Sequence, residues 1–413
     1  YRLDGEWRDL QVGEVKLKLK LWGFIPWSVK REVLRSVHGP ALRTEHGVYA
    51  IRYAGIDEMK QVEQWLAMNK AKNFEEWKAA VALNHIQSFN FVYANRHGDI
   101  HFIHNAQLPV RVPGWNWQQY LPGDRSDLIW QRYHPISALP QVTNPESGFV
   151  HSANQTPFNI TEPQDNPRPN TVPADGGWQT RMTNRATRGL ELVADFEQIS
   201  FEEAWELKHD NSYSANYRGI AFLNEVMALP RSSDTVSRAI EILESWDLGT
   251  DKENRGAALG VCVLAAEWQA ESGGTSNPDA KTILDDCINQ TLKIGDRLDP
   301  RWGDVNRHGR DGTHWPVAGG PDTLRAIYSR RLDGDDHLTA VAGDGLYYFI
   351  RWMPDGEQKA LGTHQYGNDM TDPKSPHYLD QAEDYTNEIL HEPLFTSDSR
   401  RGRITKQYSV RSD

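Results

Sequence analysis

Hydrophobic and polar positions alternate most cleanly near the start of the chain, in Val15-Lys16-Leu17-Lys18-Leu19-Lys20-Leu21. A period of two sends successive side chains to opposite faces, so this run predicts a half-exposed strand. Val29 to Val37 and Gly47 to Tyr53 continue the pattern, with His38-Gly39-Pro40 as a turn, and residues 1–55 read as β. Asp57 to Ala82 takes a helical pattern. Ile56-Asp57-Glu58-Met59 opens one helix with acidic residues at its positive end, and Asn73 caps a second, with Glu76 three residues on. Ser88 to Ala94 and Ile100 to His104 alternate again about a turn at Asn95 to Asp99, which predicts a β-hairpin.

Residues 111–145 are rich in Trp, Pro and Gly and read as ordered but irregular, and 159–177 read as a long loop. From 183 to 295 the pattern is helical. Ser200 and Glu203 make a capping box, and later helices centre on 215–228, 234–245, 256–271 and 279–295. Short strands and turns return from 298 to 370, including Leu346 to Trp352, and a short helical stretch precedes Pro393-Leu394-Phe395.

A chain of 413 residues predicts two or three units, or one large elaborated domain. Its net charge of −12 disfavours nucleic acid or an anionic membrane as the main partner. No run of 18 apolar residues is present, so no membrane span is expected. The chain starts at Tyr1 without Met or a signal peptide and reads as a processed or truncated piece. Cys262 and Cys287 lie in helical stretches, where one disulfide and two buried thiols fit equally well, and no zinc-type spacing occurs.

The candidate chemistry centres on the run Asn144-Pro145-Glu146-Ser147-Gly148-Phe149-Val150-His151-Ser152-Ala153-Asn154-Gln155-Thr156-Pro157. A buried Asn can aim N–H donors at a developing negative charge. The plain alternative makes Asn154 a turn residue. This order resembles the oxyanion-hole segment of the penicillin acylase family of N-terminal nucleophile (Ntn) hydrolases. Further segments resemble that family in the same order: Ser36 to Pro40, Asn90 to Asn95, Leu108 to Arg111, Trp117 to Pro122 and Thr183 to Arg188. Arg301 to Arg307, Pro316 to Leu324, and Tyr366 to Asn368 with Ser375 to Gln381 resemble its aculeacin and acyl-homoserine lactone acylase branch.

The resemblance implies an α+β fold, the αββα four-layer sandwich of two packed antiparallel sheets flanked by helices, with a helical subdomain. It divides the chain into a β-rich core at 1–185, a helical subdomain at 186–297 and a return to the core at 298–413. It implies hydrolysis of a linear amide, releasing an acyl chain from a homoserine lactone, a lipopeptide or a β-lactam nucleus. Asn154 takes the oxyanion role. Arg185 takes the place of an arginine near the nucleophile, against the alternatives of pairing with a carboxylate or capping a helix. The nucleophile itself, a Ser at the start of the β chain, would precede Tyr1. The expected partners are thus an α chain and a leading β segment of the same precursor, and the expected location is periplasmic or secreted. No cofactor is implied, although some members bind calcium, for which Asp165 and Asp175 in the long loop are candidates.

Other residues carry weaker chemistry. His101 and His104, three apart on a strand, face opposite sides and suit no shared metal. His308 and His314 flank Gly-rich turns and read as structural. Asp247 with Glu253, or Asp285 with Asp286, would be the carboxylates of a glycosidase, with charged solvent faces as the plain alternative. The 15 Trp and 15 Tyr keep open a carbohydrate-binding or carbohydrate-active protein with rings exposed in a groove, and a third reading is a non-catalytic acylase relic that keeps the fold and has lost its nucleophile. An acylase would instead bury most Trp and place Asn154 at a cavity near Arg185.

Overall fold

The computed structural model describes residues 1–395 and 397–404. It divides into two compact units, Tyr1–Arg181 and Met182–Asp413. Both mix helices with largely antiparallel sheets, in agreement with the α+β class.

In the first unit, β1 (Arg2–Leu3) and β2 (Glu6–Trp7) form a small ribbon. The alternating run becomes β3 (Gln11–Leu21), paired with β4 (Ile25–Ser36) from Gln11 opposite Arg35 to Leu21 opposite Ile25. Trp22 and Gly23 both take positive φ, 50° and 79°, to close the turn. The strand is where the pattern put it, but every residue of β3 is exposed, on both faces. The reason is topological: β5 (Gly39–Thr44) reaches β4 only at Leu34 to Ser36, leaving most of the hairpin as a two-stranded finger. The sheet ends with β6 (Gly47–Ala50).

The first helix, α1 (Gln61–Lys70), starts later than Ile56. Asp57 has a φ of 66°, outside the right-handed helical region. The Glu58 carboxylate instead accepts from the Lys60 N–H at 2.8 Å and meets His85 Nδ1 at 3.1 Å. In α2 (Phe74–Val81), Asn73 Oδ1 accepts from Glu76 N–H at 2.9 Å as expected, while the Glu76 carboxylate reaches back to Lys72 N–H at 3.0 Å. These helices bury Met68, Phe74, Trp77 and Val81 against Phe91 and Ile103 of the expected hairpin, β7 (Ser88–Ala94) and β8 (Ile100–Ala106). β9 (Gln141–Thr143) joins β8 on its other side.

His101 and His104 do diverge. The first packs on Phe74 and Trp77, while Nδ1 of the second meets Asn90 Oδ1 at 2.7 Å.

The second unit opens with α3 (Asn184–Val193), α4 (Phe201–His209), α5 (Ile220–Met227), α6 (Asp234–Ser245), α7 (Ala257–Ser272) and α8 (Ala280–Gly295). Ser200 and Glu203 form the expected capping box on α4. The central helix, α7, is apolar nearly all round and fully buries Leu259 and Val263 among Phe222, Ile240, Leu284 and Trp302. Gly260 allows the close approach, because a Cβ there would stand 2.2 Å from the Trp246 ring. A disulfide joins Cys262 on α7 to Cys287 on α8, deciding between the two states open in the sequence.

After α9 (Trp302–Val305) come β10 (Asn306–Arg310), β11 (Thr313–Pro316), β12 (Ile327–Arg331) and β13 (Leu338–Gly343), ordered β11-β10-β13-β12. A second ribbon, β14 (Tyr347–Trp352) with β15 (Gln358–Thr363), precedes α10 (Ala382–Thr386).

Arg325 is fully buried between these elements. Its guanidinium bonds Asp344 at 3.1 Å and the Tyr385 carbonyl at 2.8 Å, and Lys208 joins Asp344 at 2.6 Å.

Two outcomes follow for stability. Replacing both cysteines by serine frees a loop 25 residues long and lowers unfolding free energy by roughly 3 kcal/mol in urea titration; no change would mean the cross-link is dispensable. Burial pushes His101, His209 and His308 down from 6.5 to about 4, so these rings are neutral in the fold. The unfolded chain binds more protons below 6.5, so their contribution is complete above that pH and is lost as pH falls through about 4. The urea midpoint is expected to fall across that interval. A flat profile would show that other groups compensate.

Candidate active site

The loop carrying Asn154 is built on the first unit's hairpin. Asn144 seats its start: the side-chain oxygen accepts from Ile100 N–H at 2.8 Å, and its own N–H donates to the Ile100 carbonyl at 2.9 Å. The far side closes where His151 N–H donates to the Ile160 carbonyl at 2.7 Å. Inside this turn the buried Gln155 amide accepts from Ala153 N–H at 2.6 Å and donates to the carbonyls of His151 and Asn159 at 3.1 and 3.2 Å. A second amide, Asn166, accepts from Ile160 and Thr161 N–H groups at 2.8 and 3.1 Å. Buried backbone groups that no sheet reaches are thus satisfied by side-chain amides.

Asn154 stands at the apex with φ 63°, a left-handed conformation that Asn tolerates better than most residues. It is exposed, whereas a buried amide was expected for the oxyanion role. The buried amide of this turn is its neighbour Gln155. Gln155 and Asn166 carry no motif of their own in the sequence, and their signal is the density of Asn and Gln between 154 and 166.

Arg185 lies in the other unit, at the start of α3. Thr183 caps this helix, its hydroxyl accepting from Ala186 N–H at 3.1 Å. Arg185 Nε donates to Asp322 Oδ1 at 3.1 Å, and Asn184 N–H donates to Asp322 Oδ2 at 2.7 Å. Arg185 thus pairs with a buried carboxylate. Asp322 is 2% exposed and has φ 63°, so it is a buried carboxylate held by a helix start and a guanidinium. It lies within the segment Pro316 to Leu324. Its signal was its place after Gly319-Gly320-Pro321, a turn that brings a polar side chain inward.

Most of the remaining candidates are engaged structurally. Asp165 accepts from Ser147 N–H and Asp175 from Arg111 N–H, both at 2.9 Å. His308 stacks on Tyr366 and meets the Gln365 carbonyl, while His314 packs against His337. Asp247 accepts from Gly249 N–H and the Asn254 amide, Glu253 pairs with Arg301, and Asp285 pairs with Lys281, while Asp286 lies exposed. Among the described residues, no group of three or more His, Cys, Asp or Glu is arranged to hold a metal ion. No helix among them is long and apolar enough to cross a membrane.

Only Trp77, Trp246 and Trp302 of the 15 Trp are buried, against the expectation that most would be. Trp22 and Trp27 sit on the bare finger. Others, such as Trp117 and Trp130, half-cover loop backbone that lacks a sheet.

The penicillin amidase family model matches residues 1–402. The chain belongs to the penicillin amidase family. Within that family it is 26% identical to penicillin G acylase of Escherichia coli over 52% of this chain and 25% of that protein. It is 22% identical to the acyl-homoserine lactone acylase PvdQ of Pseudomonas syringae pv. syringae (strain B728a), over 94% of this chain and 56% of that protein. The chain thus spans about half the length, or less, of these curated relatives. Its fold resembles that of a thermostable penicillin G acylase from Alcaligenes faecalis, with TM-score 0.59 and 16% identity, covering 100% of this chain and 83% of the other.

Asp322→Ala leaves the Asn184 N–H and Arg185 without their shared acceptor. It is expected to lower unfolding free energy by roughly 3 kcal/mol, the scale for removing one member of a buried pair, with a smaller loss in Asp322→Asn. Equal stability of the alanine variant in urea would show that the carboxylate does not hold α3.

Proposed function

We propose that this chain is the larger part of the β subunit of an Ntn amidohydrolase that cleaves a linear amide. The observation carrying this reading is the penicillin amidase match across residues 1–402. The site residues add detail. A Ser hydroxyl of an upstream segment, with its own α-amine as base, adds to the amide carbon. The carbonyl oxygen becomes an oxyanion, towards which the Asn154 carboxamide donates an N–H. Collapse breaks the C–N bond, the leaving amine takes the proton, and water then releases the acyl group from the serine ester. Arg185, oriented by Asp322, orders the polar network beside the nucleophile. Protein groups alone supply this chemistry.

The clamped, left-handed turn supports the donor role because a fixed dipole needs little reorganisation as charge develops. The proposed fold is the four-layer αββα sandwich. The preferred substrates carry long acyl chains, as in acyl-homoserine lactones, ahead of lipopeptides and β-lactams. That preference is supported by the reach of the match, 94% of this chain for the lactone acylase against 52% for penicillin G acylase. The disulfide supports a periplasmic or secreted location, where such bonds persist.

Asn154→Gly keeps the left-handed backbone and removes only the carboxamide. In the complete enzyme, assayed on a long-chain acyl-homoserine lactone, it is expected to lower kcat by roughly 10²–10³ with little change in KM. An unchanged kcat would remove Asn154 from the oxyanion site. Denaturing mass spectrometry of the native protein is expected to show a polypeptide beginning with Ser, Thr or Cys.

A further inference from the structure

The finger of β3 and β4 carries a mismatch between sequence and surroundings. Register places Val15, Leu17, Leu19, Leu21, Ile25, Trp27 and Val29 on one face, with Arg31 opposite Val15 at its base, and Lys16, Lys18, Lys20 and Lys30 on the other, with Glu14 and Glu32 at its base. That is the alternation of a sheet packed on one side and solvated on the other. Yet Leu17 is 43% exposed, Leu19 46% and Trp27 54%. A two-stranded ribbon of this kind is marginal in water unless something covers its apolar side.

We propose that this apolar face is the docking surface for a further segment of the same precursor, lying outside these 413 residues. The inference rests on the reading that the complete enzyme contains such a companion segment. Two observations favour this occupant. The lactone acylase that aligns with 94% of this chain is matched over only 56% of its own length, so a relative of this kind has ample further polypeptide. On the finger the free edge is β3, whose lysine row opposes strand addition there by a second copy. A lipid surface is disfavoured by the chain's net charge of −12 and by lysines spread along the opposite face instead of ringing the tip.

The test uses the complete protein with a photo-crosslinking residue at position 19, and a control at 18. Position 19 is expected to crosslink the companion at fixed residues and position 18 to give little. In parallel, Leu17→Ser with Leu19→Ser should weaken companion retention in native mass spectrometry by about a hundredfold, one decade for each lost leucine burial. Lys18→Gln with Lys20→Gln should leave it nearly unchanged. Unaltered circular dichroism of this chain separates lost docking from misfolding. Crosslinks to lipid or to a second copy, or equal retention by both double variants, overturn the proposal. If a companion with a nucleophile is present but position 19 does not reach it, the docking inference fails and the amidase reading stands. If the native protein holds neither a companion nor a longer form of this chain beginning with Ser, Thr or Cys, both fall.

Discussion

Buried charge is the constraint around which the second unit is arranged. Asp322 and Arg325 stand three residues apart, and both are almost without solvent contact. Neither can be left unpaired without a large desolvation penalty, so each dictates its surroundings. The carboxylate gathers the start of α3 through Asn184 N–H and Arg185 Nε. The guanidinium gathers Asp344 and the Tyr385 carbonyl. One short connection thus joins the opening helix to the closing strands of the unit. Lys208, pulled down in pKa by burial yet held by Asp344, ties α4 into the same network.

The first unit solves a different problem. Its loop from Asn144 to Asn166 runs without sheet partners, so its backbone groups are met by side-chain amides. Gln155 and Asn166 act as substitute backbone, which gives the turn at Asn154 a defined shape without regular secondary structure. The result is a division of labour: the amide that determines the geometry is buried, and the one at the apex is exposed.

Much of the element order was legible because it rests on local rules. Ser200 with Glu203, Asn73 with Glu76 and the hairpin at 88–106 follow from capping and period-two alternation, which need only neighbouring residues. The start of α1 was misplaced because the left-handed Asp57 depends on a turn that acidic composition does not announce. Burial was harder to read. Alternation at Val15 to Leu21 says that one face is built for cover but not whether the cover belongs to this chain. The family was legible from several segments in order, although no one of them is specific. Asp322 and Gln155 were not, because their roles depend on partners brought together by folding, Asn184 and Arg185 for one and the 151–159 turn for the other.

The left-handed backbone at Asn154 narrows what evolution or an engineer can place there. Conformation alone admits chiefly glycine, asparagine, aspartate and occasionally histidine. A demand for a compact neutral donor would strike out glycine, which has no side chain, and aspartate, which only accepts when ionised. Two independent filters, one torsional and one chemical, then overlap on very few letters of the amino-acid alphabet. Drift at this position is confined by the shape of the main chain before any substrate has a say.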